Sequence, residues 1–329
     1  MLDQVPWWVV ALLKSAIILF VVLTTFAYSM LFERKIMAWM QLRPGPNRVG
    51  PWGMLQPAAD AVKMMFKEDL TPETADPLMY KLAPFISLIC AMGAFAVIPF
   101  SETSAGLWGV GDVNAGISVI FALTSIGVYG ISLAGGSSGS KYPLLGAVRS
   151  TAQMISYELA MTLSIVGVLI LAGTTSLAGI VHAQHRVWFI IPQIVGFIIY
   201  IITAVAETNR APFDLVEAET ELVGGFHTEY SGLRFGLFFI AEYLNMITVS
   251  CIATLLFLGG WDAPFGLTFV PGIIWFVLKA GLFIFMYIWL RTTLPRLRYD
   301  RLMNFGWKVL LPVATLNLMV TAAIVAVTG

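Results

Sequence analysis

Eight separate stretches of this chain stay apolar for about twenty residues, the length an α-helix needs to cross a hydrocarbon core about 30 Å thick. They fall near residues 7–32, 82–99, 113–135, 152–173, 188–206, 233–260, 272–294 and 308–327. The spacing predicts an all-α polytopic membrane protein with eight transmembrane helices. Composition agrees, with 58% hydrophobic and 12% charged residues, against roughly 45–50% and 25% in soluble domains. The opening MLDQVP has no basic n-region and the first span exceeds a signal h-region, so that span reads as a retained anchor.

Lys and Arg in short loops favour the cytoplasmic side, whereas Asp and Glu count for little. Arg34, Lys35, Arg43, Arg48, Lys63, Lys67, Lys81, Lys141, Arg149, Arg210, Arg296, Arg298 and Arg301 all fall in odd-numbered loops; the even ones hold only Arg186. Both termini should face outward, with a long first loop (33–81) and an acidic fifth loop (207–232) inside. A single membrane domain over 1–329 accounts for the chain. No internal repeat divides it into the matched halves common in secondary transporters.

The first loop carries RPGPNRVGPWG at 43–53, dense in Gly and Pro and so irregular. The following MLQPAADAVKMMFKED places Gln56, Asp60, Lys63 and Lys67 at helical offsets, with Leu55, Ala58, Val62 and Met65 elsewhere on the wheel. That pattern predicts an amphipathic interfacial helix, resting on headgroups or turning its polar stripe to a partner.

Lys14, Glu158, Glu242 and Lys279 fall inside spans, where each charge costs about 2.5–3.5 kcal/mol at a helix centre. Such residues are functional candidates. The topology puts Glu158 and Glu242 in the inner halves of their spans, Glu207 at the inner end of its own, and both lysines in outer halves. A series of carboxylates suits a proton relay; the alternative is a buried Glu242–Lys279 pair that fixes packing. Arg291, near a membrane end, reads as a snorkelling residue.

The fifth loop holds Glu207, Asp214, Glu217, Glu219, Glu221 and Glu229, with Arg210 its one basic residue. A helical turn started by Pro212 would set Asp214, Glu217 and Glu221 on one face, where like charges repel and couple their titrations. The spacing does not fit a calcium loop, because position twelve from Asp214 is Gly225. Phe213, Leu215, Val216, Leu222, Val223 and Phe226 give the segment apolar surface to fold against the membrane core or a partner.

Cys90 and Cys251 lie apart within spans and read as packing residues. His182, His185 and His227 lie in loops, and His182 and His185, three apart, read as exposed polar residues rather than metal ligands. The chain is expected to hold no metal.

The motifs AETNRAPFDLVEAETELVGGFHTEYSG (206–232), GMLQPAADAVKMMFKED (53–69), ERKIMAWMQLRPGPNRVG (33–50) and LPRLRYDRLMNFGWK (294–308) together resemble the H-subunit family of proton-pumping NADH:quinone oxidoreductases, respiratory complex I. The resemblance runs along essentially the whole chain. It implies a membrane subunit without a prosthetic group, at the junction with a peripheral redox arm of iron-sulfur subunits, beside other membrane subunits, with quinone as substrate. Glu33, Arg34, Lys35, Asp60 and Lys63 would line the quinone passage. Arg210, Asp214, Glu217, Glu219, Glu221 and Glu229 would face the chamber, and Glu158, Glu207 and Glu242, with Lys279, would form the relay into the membrane. The expected setting is a bacterial inner membrane with periplasmic termini; the partners are protein, quinone and lipid, not nucleic acid. The alternatives are the related subunit of a membrane-bound hydrogenase, a stand-alone cation transporter using Glu158, Glu242 and Lys279, and a structural anchor.

Overall fold

The computed structural model describes residues 7–103, 106–108, 113–214, 223–264 and 270–328. The described residues are mostly helical. The helices are α1 (Trp7–Met40), α2 (Gln56–Phe66), α3 (Pro77–Ala96), α4 (Gly116–Ser137), α5 (Lys141–Ala172), α6 (Leu177–Ala183), α7 (Ile194–Glu207), α8 (Gly232–Phe257), α9 (Gly272–Thr293), α10 (Tyr299–Phe305) and α11 (Leu311–Thr328). Among the described residues, 7 helices are long and apolar enough to cross a membrane, the last being the continuous run Tyr299–Val327. The apolar helix Ile194–Glu207 is shorter.

One expectation is corrected. Glu33, Arg34 and Lys35 belong to the last turns of α1, which runs on to Met40, so the first loop begins later than 33. The predominantly helical class agrees with the expectation; beside the helices, β1 (Ser101–Thr103) and β2 (Gly106–Trp108) form a short antiparallel ribbon after α3, with Glu102 opposite Leu107.

Local chemistry sets the helix ends. Asp76 caps α3, its Oδ1 accepting from Leu78 N and Met79 N at 3.0 and 3.3 Å, and Pro77 takes the first helical position, where no donor is needed. At the far end of α5, Gly173 adopts φ 66°, the left-handed conformation that closes a helix, and its N–H reaches Leu169 O.

The bundle has two ends. At one, Asp76 N donates to Ser137 O and Leu297 N to Pro212 O, gathering the start of α3, the end of α4 and the loops after α7 and α9. At the other, Thr175 Oγ1 donates to Asn114 O, and buried Gln184 donates to Leu255 O while accepting from Phe189 N and Gly259 N. Helix α8 lies at the centre, and Met246 through Phe257 are all buried. Its Ser250 and Thr254 hydroxyls donate to carbonyls four residues back, which satisfies them inside an apolar core.

Close helix contact rests on small residues, as is usual in lipid, where apolar area gives little drive for association. Gly130 of α4 faces α3 so tightly that a Cβ would collide with Ser87 Oγ and stand only 2.9 Å from Ser87 N and 3.0 Å from Ala83 O. Gly136, six residues on, has nothing within 4 Å. We expect Gly130→Ala to destabilise the protein by about 1–3 kcal/mol through overpacking and Gly136→Ala to be close to neutral, read as thermal loss of folded protein in detergent.

Candidate functional site

The site grows from the chain reversal after α7. Asn209, at φ 51°, ends the helical path, and Arg210 N reaches back to Val205 O. A cis Ala211–Pro212 bond follows. Gln153 of α5, fully buried, donates from Nε2 to both Ala206 O (2.7 Å) and Phe213 O (2.8 Å), fixing the two sides of the reversal.

This holds Arg210 inside the bundle at 5% exposure. Its Nη1 donates to Glu33 Oε1 of α1 at 2.9 Å, its Nε lies 2.8 Å from Glu242 Oε1 of α8, and its guanidinium stacks 4.4 Å from the Tyr243 ring. Burial alone would favour the neutral form, but Glu242 and Glu33 hold Arg210 protonated well above the ordinary arginine range. Glu33 is 2% exposed and also accepts from Arg291 of α9. One cation therefore ties α1, the α7 reversal and α8, and a second brings in α9. Arg291 is thus a partner of Glu33 rather than a snorkelling residue. Sequence periodicity could not show this, because the partners are 258 residues apart.

Around this core the candidate residues separate. Arg34 Nη1 pairs with Asp60 Oδ2 of α2 at 2.7 Å, and Gln56 donates to Asp60 Oδ1. Lys35 Nζ donates to the carbonyl of Trp52. Lys63 is exposed, and Asp214 is half-buried. Glu229 contributes its backbone carbonyl to the Tyr80 hydroxyl at 2.7 Å. Glu217, Glu219 and Glu221, and with them the shared helical face, lie outside the described residues.

Glu207 and Glu242 share a cavity of about 50 Å³, whose other polar lining includes His227, Asn245, Thr124 and Ser87. That space accommodates water, which needs only about 10–15 Å³ by this measure. Glu207 is 8% exposed and its Oε2 has no hydrogen-bond partner among the described residues. Glu158 accepts from Ser125 of α4. Two of the candidate carboxylates, Glu207 and Glu242, thus meet at one cavity, with polar neighbours that the sequence did not single out.

Lys279 does not join them. It donates to the carbonyls of Leu258 (2.6 Å), Gly260 (3.0 Å) and Asp262 (2.7 Å) and lies 4.6 Å from the Trp188 ring. Leu258 is about 24 Å from Glu242 along the helix axis at 1.5 Å per residue. The Glu242–Lys279 pair is not formed; Glu242 pairs with Arg210 instead, and Lys279 caps the carbonyls just beyond the end of α8.

Removing the guanidinium at 210 would take one of its two cations from buried Glu33 and break the ion pair with Glu242. We expect Arg210→Ala to cost about 3–5 kcal/mol, the scale for breaking a buried pair, and Arg291→Ala to cost less because that side chain is 31% exposed. Thermal stability of the two variants in the same detergent checks the order.

Residues 13–322 match the family model described as NADH dehydrogenase. The chain is 50% identical over 317 residues to H subunit 1 of the NADH-quinone oxidoreductase of Symbiobacterium thermophilum, covering 96% of this chain and 97% of the relative. It is 52% identical over 336 residues to the NADH-quinone oxidoreductase H subunit of Deinococcus deserti, covering 98% and 86%. It is also 52% identical over 316 residues to H subunit 1 of the NADH-quinone oxidoreductase of Geobacter metallireducens, covering 94% of each. A chain matched from end to end at this level, with its buried arginine held by carboxylates of two membrane helices, belongs to the NADH dehydrogenase family of NADH-quinone oxidoreductase H subunits.

Proposed function

We propose that this chain is the H subunit of a proton-pumping NADH-quinone oxidoreductase, complex I, where it helps build the quinone chamber and couples quinone reduction to proton movement. The observation that carries the coupling role is the buried Glu33–Arg210–Glu242 bridge, which opens directly onto the cavity holding Glu207. Electron transfer from NADH belongs to partner subunits of the peripheral arm, and quinone is this subunit's substrate; the chain itself carries no prosthetic group in this reading.

The architecture proposed with it is one membrane domain over 1–329 with eight crossings. Helix α7 rises about 21 Å over its 14 residues at 1.5 Å each, and the turns just before it supply the rest of the eighth. Helix α2 lies at the interface: Asp60, held by Gln56, pairs with Arg34, while Val62, Met65 and Phe66 are exposed. The distribution of basic loops favours periplasmic termini in a bacterial inner membrane, with the Arg210 end toward the cytoplasm and the peripheral arm.

In this mechanism Glu33, Arg34, Lys35, Asp60, Lys63, Arg210, Asp214 and Glu229, with Glu217, Glu219 and Glu221, border the chamber. Reducing a quinone draws protons and changes the charge there. The loop carboxylates respond first, and Arg210 feels the change through Glu33 and Glu242, because its two ion pairs compete for one guanidinium. Glu207, across the water-sized cavity from Glu242, takes up or releases a proton, and Glu158 continues the path toward α4. The cavity admits water, which offers protons a route between Glu242 and Glu207. Lys279 is left out of the path.

Glu217→Gln combined with Glu221→Gln should lower quinone-linked NADH oxidation and pumping while NADH oxidation by an artificial acceptor persists; wild-type quinone reductase rates and pumping in the assembled double variant would refute the coupling role. Purification in mild detergent should bring iron-sulfur and flavin proteins with the chain. Recovery of the chain alone as an active cation transporter would overturn the assignment.

A further inference from the structure

The end of the bundle away from Arg210 carries a second set of titratable side chains, which the proposed function does not use. His182 lies in α6 and His185 follows it by three residues. His182 Nδ1 and His185 Nε2 face each other at 3.4 Å. The opposite nitrogen of each ring meets a carboxylate: His182 Nε2 is 3.1 Å from Glu102 Oε2 of β1, and His185 Nδ1 is 2.8 Å from Asp262 Oδ2 beyond α8. The latter is a charge contact off the hydrogen-bond line, since Asp262 Oδ2 has no well-aligned donor.

An ionised carboxylate only accepts, and a neutral imidazole has one N–H. Each carboxylate therefore favours the tautomer whose N–H faces it. With both rings neutral the two inner nitrogens are then lone pairs facing one gap, an arrangement relieved either by a proton held between them as an N–H···N hydrogen bond or by a metal ion. Carboxylates placed on the remote nitrogens orient histidine ligands in metal sites in the same way. The gap also has the right width: two nitrogens about 2.0–2.1 Å from a tetrahedral zinc ion stand about 3.3–3.4 Å apart.

We propose that His182 Nδ1 and His185 Nε2 form a binding site for a divalent transition-metal ion of the zinc class, with Glu102 and Asp262 setting the tautomer and orientation of the two rings. Imidazole nitrogen selects such ions over Mg²⁺ and Ca²⁺, which prefer oxygen. Among the described residues no group of three or more His, Cys, Asp or Glu is placed to hold a metal, so water completes the coordination and the ion exchanges with solvent. The two histidine side chains are 46% and 60% exposed, which leaves the gap accessible. Lys279 is the nearby cation that could compete for Asp262, and its ammonium is already occupied by three carbonyls. A bound ion would link the β1–β2 ribbon, α6 and the turn after α8. The site lies wholly within this chain and stands independently of the coupling role.

The test uses the protein purified with its partner subunits, treated with chelator, washed and equilibrated with micromolar ZnCl₂. Elemental analysis should find one zinc fewer per complex in a His182→Ala/His185→Ala double variant than in the wild type. Glu102→Gln and Asp262→Asn should each weaken that zinc by about 10–100-fold, the usual effect of losing a carboxylate behind a ligand. In the wild type, ZnCl₂ should protect both histidines together from diethyl pyrocarbonate, read by mass spectrometry, and MgCl₂ should not. Equal zinc content in wild type and double variant, or labelling indifferent to zinc, overturns the site. Should the double variant fail to assemble, labelling of the wild type decides alone.

Discussion

One guanidinium buried among membrane helices organises this molecule. A charge in that setting is tolerated only when it is paired, and Arg210 is paired with two carboxylates from two helices and lies against the face of an aromatic ring. The helices α1, α8 and, through Arg291, α9 are thereby fixed in register around the reversal after α7. Gln153 holds that reversal by its backbone, so the arginine is presented rather than free to seek water. The same pairs that fix packing also make the local charge balance sensitive to any proton gained or lost on either carboxylate. Structure and proposed coupling thus rest on one contact.

The apolar spans were legible because the bilayer imposes a length on every helix that crosses it. Helix ends were less so. Glu33, Arg34 and Lys35 end the hydrophobic run but not the helix, since their charges find partners at Arg210, Asp60 and the Trp52 carbonyl. Helix α7 falls short because Pro192 and the turns around it precede its start. The short ribbon of 101–103 with 106–108 left no trace in a reading tuned to twenty-residue periods.

The candidate site was legible as a set of carboxylates and illegible as a set of pairs. Reading Glu158 and Glu242 as carboxylates within apolar spans, with Glu207 at the end of another, needed only the hydropathy pattern. Assigning Glu242 to Arg210, and Lys279 to the end of α8, needed the fold, because a single long-range contact decides each. Arg291 shows the point most clearly: near a helix end a snorkelling cation and a buried-carboxylate partner look the same in sequence. The histidine pair shows its converse, for the spacing of His182 and His185 says nothing of Glu102 and Asp262, which arrive from other loops and change what the two rings can bind.

Helix α1 has a further consequence for motion. Three successive residues in its C-terminal turns point about 100° apart around the axis, as 3.6 residues per turn requires, and each is engaged by a different element: Glu33 by Arg210, Arg34 by Asp60, Lys35 by the Trp52 carbonyl. Rotation of the helix like a screw would part all three contacts together, whereas tilting about that end would disturb them unequally. The end of α1 is therefore keyed against rotation, and any displacement passed along this subunit must travel as a tilt or a shift of its neighbours.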